Sequence, residues 1–193
     1  MRPWLGIGLC VLMAVGDAQV VQDVKVGGLA PLVLRRKATG EGKKMEFTSV
    51  TLLPGRGMNV FQIIGVVPGR GETELLRSPA VAVAAEKLNG QGDDAYGNLN
   101  HSFGAAFLIP FSSRIDGELS ADKQTVTATW KGKPIVLPND FLGHYAVHGL
   151  INELKAEDVK VMDIAGGQVA TAVRSMRVTL AGIGFRARMC TSR

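Results

Sequence analysis

The sequence is poor in cysteine, aromatic rings and histidine, and each shortage excludes something. Cys10 and Cys190 are the only cysteines in 193 residues. Neither belongs to a Cys-x-x-Cys pair or stands beside a second ligand, so a thiolate metal centre and a disulfide framework are excluded. Aromatic residues make up 6% of the chain, which is thin material for the stacking platforms that hold single-stranded nucleic acid. Acidic residues are missing from positions 174–193, where Arg174, Arg177, Arg186, Arg188 and Arg193 fall. The rest of the chain has 17 basic against 17 acidic residues. The net charge of +5 is therefore a property of the tail rather than a basic stripe across a folded face, and no nucleic-acid partner is expected. The Gly69-Arg70-Gly71-Glu72 stretch lacks the Lys-Ser/Thr and the following helix of a phosphate loop. No nucleotide, flavin or zinc signature is present, and no cofactor is expected.

What is there is globular in composition, 46% hydrophobic and 20% charged, enough for one ordinary domain with a core. Residues 1–18 read as a signal peptide. Arg2 supplies the positive end, 5–15 is apolar, and Gly16-Asp17-Ala18 offers a small-residue cleavage site. The apolar run is too short for a bilayer span of about 20 residues, so export to the periplasm or beyond, with no stable membrane span after cleavage, is the expectation.

Helical spacing is scarce. The best window is 78–88, Ala-rich, opened by Ser78-Pro79 and stopped by Asn89-Gly90. Strand signals recur: Glu46–Leu53 alternates and stops at Pro54-Gly55; 58–67 stops at Pro68-Gly69; 103–111 is almost continuously apolar and reads as a buried strand; Thr125–Trp130 turns at Lys131-Gly132; 135–137 ends at Pro138-Asn139. Gly90 to Asn100 reads as a loop. Short strands with Gly and Pro punctuation imply an all-β sandwich.

Three stretches carry the chemistry. In Leu52-Leu53-Pro54-Gly55-Arg56-Gly57-Met58-Asn59-Val60 a strand turns into the next. Arg56, like Arg70, reads as a solvated arginine in a glycine-flanked turn. In 103–117 an apolar strand delivers Arg114, whose fork of donors suits vicinal hydroxyls or a carboxylate, unless Asp116 or Glu118 takes it as a salt bridge. In 137–150 lie His144 and His148. Their spacing of four would share a helix face, but Gly143 and Gly149 favour a loop or strand over a metal pair. A His at a strand end before Gly can hydrogen-bond a ligand hydroxyl, or can simply be a satisfied loop residue. His101 has no partner in sequence and is assigned no role.

Ser113-Arg114-Ile115 followed by Val147-His148-Gly149 resembles the aldose 1-epimerase (galactose mutarotase-like) family, which carries a Gly-rich strand ending in Asn-Arg-Ile and then a Leu-His-Gly element. The resemblance covers about residues 44–151. Ser113 replaces the usual Asn, and Ile109-Pro110-Phe111 replaces the common Gly-Arg. The resemblance implies a galactose-mutarotase-like β-sandwich (supersandwich), a small aldose as ligand, and substrate-binding roles for Arg114 and His148. It also implies a later His as acid and a later Glu as base for opening and reclosing the sugar ring. No histidine follows His148, and Glu153 and Glu157 come too soon, so no catalytic residue is assigned. The expectation is residues 19–173 as the front part of the domain, weakly active or inactive. The Arg-rich 174–193 is read as an out-of-frame tail: permitted codons for 174–185, read two bases later, give Val-Asp-Ala-Gly-Asp-Phe-Gly-Gly-His-Trp-Leu. The alternative is a non-catalytic exported carbohydrate-binding or envelope module.

Overall fold

The computed structural model describes residues 24–165, 167–175 and 186–190. The expected signal peptide, and most of the expected out-of-frame tail, lie outside the described residues. Strands β1 (Leu32–Arg35), β2 (Glu46–Leu53), β3 (Asn59–Val67) and β4 (Gly71–Leu76) form one antiparallel sheet in that order. A short helix α1 (Val81–Lys87) and a run of 3-10 turns over Gly92–Ser102 follow. Next come β5 (Arg114–Asp116), β6 (Glu118–Leu119), β7 (Thr125–Trp130), β8 (Lys133–Pro138) and β9 (Tyr145–Val147). Strand β5 pairs with β9, while β6, β7 and β8 make a three-stranded sheet. Strands β10 (Glu157–Ile164), β11 (Gly167–Ser175) and β12 (Arg186–Cys190) form another. Every pairing is antiparallel, so the chain is all-β in class with little helix. Within the 174–193 segment, Arg174 and Ser175 end β11 and pair with Ala187 and Arg186 of β12. Among the described residues no helix is long and apolar enough to cross a membrane.

The period-two geometry of β2 organises the packing. Leu52 and Leu53 point to opposite faces. Leu53 joins Val26, Phe61, Ala84 and Leu88 in a cluster under α1. Leu52 joins Met58, Ala170 and Ala172, with Leu32, Leu34, Val50 and Val159 packed against it. The β10–β11 hairpin thus covers one face of the first sheet and α1 the other. Leu52, Leu53 and Leu88 are each essentially out of water, a contribution of about 1.5–3 kcal/mol apiece.

Three readings of the sequence need correction. The helix starts at Val81, not at Ser78: the Ser78 hydroxyl donates to the Phe61 carbonyl of β3 instead of capping. Residues 103–111 form no strand. Gly104 passes so close to β3 that a Cβ there would sit 2.4 Å from the Val60 carbonyl oxygen, and Pro110 has no N–H to give a ladder. The segment keeps a bridge, Val60 to Ala105, a bond from the Phe103 amide to the Asn100 carbonyl and one from the Leu150 amide to the Ile109 carbonyl. Its side chains still pack, Phe107 and Ile109 among them.

The third correction concerns Arg56, which is 2% exposed. Its Nη2 donates to Asp94 Oδ1 at 2.7 Å and its Nε to Asn100 Oδ1 at 3.0 Å. The sequence shows an arginine among glycines, but not that residues 92–102 fold over it. That segment is also more than a loop: Asp94 and Asn100 are buried in it, and Asn100 Nδ2 donates to the Arg56 and Asn152 carbonyls. Arg70 is exposed, as read.

Candidate functional site

The β5–β9 register places Arg114 opposite Val147, and one step further the His148 amide donates to the Ser113 carbonyl at 2.9 Å. The two residues singled out in sequence, 34 positions apart, therefore leave the same end of a two-stranded ladder. Both strands end there in the left-handed region, Ser113 at φ +66° and His148 at φ +57°. Gly149 (φ +86°) explains the His-Gly order. A Cβ on it would lie 2.3 Å from the Ile109 carbonyl oxygen, so only glycine lets the 103–111 segment cross directly behind the histidine.

Arg114 is exposed, and its guanidinium carbon lies 5.7 Å from the ring centres of both Phe141 and Tyr145. Such contacts are worth about 0.5–1 kcal/mol at an exposed site. Ion pairs join Arg36 to Glu46, Arg56 to Asp94 and Arg77 to Glu74. Arg114 is in none of them: the salt bridge to Asp116 or Glu118 does not form, and Asp116 accepts from the Gly117 amide instead. The arginine is steered by rings.

His148 is half-buried, and its ring meets His101 edge to face, centres 4.6 Å apart. Its Nδ1 is buried without a hydrogen-bond partner. Burial, and next to it the neighbouring His148, push the His101 imidazole below its ordinary value. The His144 ring lies tilted against Tyr145, centres 3.8 Å apart, so the two histidines four apart are paired with different rings. Among the described residues no group of three His, Cys, Asp or Glu side chains could hold a metal.

Asp140 is the other titratable group here. Its Oδ1 accepts the Val147 amide at 2.8 Å, and Asn98 Nδ2 donates to its backbone carbonyl at 3.1 Å. Burial pushes its carboxyl up to about 6, with Glu153 adding to the rise. Sequence reasoning passed over both His101 and Asp140. His101 arrives because Asn100, the residue before it, is anchored in the Arg56 knot. The same knot reaches the site from behind, since Asn152, whose carbonyl accepts from Asn100, donates from Nδ2 to the His148 carbonyl at 3.4 Å. No local pattern marks either residue.

Comparison with known proteins gives no relative: no family model, curated protein or solved structure matches the chain.

Proposed function

We propose that the protein is an aldose 1-epimerase-like carbohydrate-binding protein, an exported β-sandwich that holds a small aldose between Arg114 and His148. The supporting observation is the β5–β9 register. It brings to one ladder end the arginine and the histidine that the family resemblance pairs as sugar ligands, with Phe141 and Tyr145 as an aromatic wall beside them. A guanidinium can fork onto vicinal hydroxyls, an imidazole with one nitrogen buried presents the other to a hydroxyl, and a ring face takes the C–H face of a pyranose.

Mutarotation needs a group that removes the anomeric proton and one that protonates the ring oxygen. Asp140 and His101 are the titratable neighbours of the pair, but the Asp140 carboxylate is engaged with the Val147 amide and the His101 ring packs against His148. Binding with weak or absent rate enhancement is therefore the reading. This also keeps in view the non-catalytic carbohydrate-binding module.

Calorimetric titration with D-glucose and D-galactose tests it. Binding should weaken about ten- to a hundredfold in Arg114→Ala and His148→Ala, the range for losing a charge-assisted hydrogen bond. Binding unaffected by either substitution would sink the proposal. Polarimetry on freshly dissolved α-D-glucose separates binder from catalyst.

A further inference from the structure

The loop after β8 and the hairpin before it both place a side chain the turn does not favour in the left-handed region, but the two side chains differ in chemistry. The β7–β8 hairpin turns through Lys131 (φ +50°) and Gly132 (φ +74°), with a solvated lysine in the left-handed position. The 141–145 loop turns through Leu142 (φ +50°) and Gly143 (φ +78°), closed by the His144 amide on the Phe141 carbonyl at 3.3 Å. Positive φ at both central residues selects Asn-Gly or Asp-Gly. A leucine is disfavoured there by its backbone, and this one is also 67% exposed. Phe141 beside it is 38% exposed.

The loop is firmly held. Phe141 and Tyr145 exchange backbone bonds of 3.1 and 3.0 Å, the Asp140 amide donates to the Tyr145 carbonyl, and Asn139 Nδ2 donates to the Gly143 and Lys123 carbonyls. A firmly held loop that displays apolar side chains against its own turn preference, beside the Arg114 guanidinium and the His144 ring, is a preorganised contact surface. It is a few side chains wide, well short of the roughly 800 Å² per partner of a stable protein interface. Its chemistry, ring and methyl faces beside hydrogen-bond donors, matches a pyranose.

We infer that Phe141 and Leu142 form a second sugar subsite next to Arg114, so that the preferred ligand is a disaccharide or longer reducing-end saccharide rather than a free monosaccharide. The inference rests on reading Arg114 and His148 as the pair that holds the first ring.

Titration of the full chain with D-glucose and D-galactose, against cellobiose, maltose and lactose, tests both. At least one disaccharide should bind about tenfold more tightly than glucose, the unit at its reducing end. Leu142→Asn should remove most of that advantage while glucose binding and the melting temperature hold or rise, because asparagine suits the turn. Phe141→Ala should remove it as well and, because Phe141 also walls the first ring, should weaken glucose binding too, so Leu142→Asn is the variant that isolates the subsite. Equal or weaker disaccharide binding, or an advantage that survives both substitutions, overturns the subsite and leaves the Arg114–His148 reading standing. Failure of every sugar to bind overturns both.

Discussion

Replacing Asp94 by alanine is the most severe single test of this fold. Asp94 is buried beside Arg56, and its carboxylate does three things: Oδ1 accepts Arg56 Nη2 at 2.7 Å and the Leu99 amide at 3.3 Å, and Oδ2 accepts the Gly90 amide at 2.7 Å. Alanine leaves a buried guanidinium with the neutral Asn100 oxygen as its side-chain partner. Removing one member of a buried ion pair costs about 3–5 kcal/mol, and the stranded amides overlap with that cost, so about 4 kcal/mol is expected. That is a large share of the roughly 5–15 kcal/mol typical of a folded domain. Urea unfolding followed by far-ultraviolet circular dichroism should show a lower midpoint at an unchanged slope. Asp94→Asn keeps one acceptor oxygen but loses the charge and turns its NH2 toward a donor, and should cost less than alanine. The double variant Arg56→Met/Asp94→Leu removes both charges and should be more stable than Asp94→Ala alone. A loss below about 1 kcal/mol in Asp94→Ala, or a double variant whose cost equals the sum of the singles, would refute the account of Arg56 as a paired, buried cation. Because Asn100 and Asn152 tie this knot to His101 and His148, the partly destabilised Asp94→Asn variant should also bind sugar more weakly.

Asp140 sets a pH dependence. Its folded value of about 6 lies above the ordinary 3.8, so the stability held by the neutral acid is complete below about pH 4 and is lost as pH rises through 6. The displacement corresponds to about 3 kcal/mol as a ceiling, and partial exposure trims it to about 1–2 kcal/mol. Asp140→Asn should accordingly be more stable than the parent at pH 7.5, with the gain shrinking toward pH 4.5 in paired urea titrations; a constant gain would contradict this. Gly149→Ala places a Cβ 2.3 Å from the Ile109 oxygen at φ +86° and should lower stability by more than about 2 kcal/mol, with sugar binding lost too; a neutral thermal melt would show that the crossing behind His148 is loose. Arg114→Lys keeps the charge but not the planar fork, and should recover less than half of the binding energy lost in Arg114→Ala when titrated with the same sugar.

The sequence by itself determined the local pieces. Glu46–Leu53 and Thr125–Trp130 are strands with the bounds that alternation and Pro-Gly or Lys-Gly punctuation set, and 58–67 differs by one residue from β3. These depend on side-chain period and turn chemistry within a few residues, which a single chain displays. Arg114 and His148 were legible as residue types at strand ends. Their meeting was implied by the resemblance and by no local pattern, because it depends on a β5–β9 pairing between segments some 30 residues apart. Tertiary structure alone decided that Arg56 is buried, that the apolar 103–111 segment runs behind Gly149 without forming a strand, and that His101 and Asp140 flank the candidate site. The physical reason is common to all three. Burial and pKa are set by what other segments do with their own backbone groups and charges, and neither Asp94 over Arg56 nor Ile109 behind Gly149 leaves a trace in the neighbouring letters of the sequence.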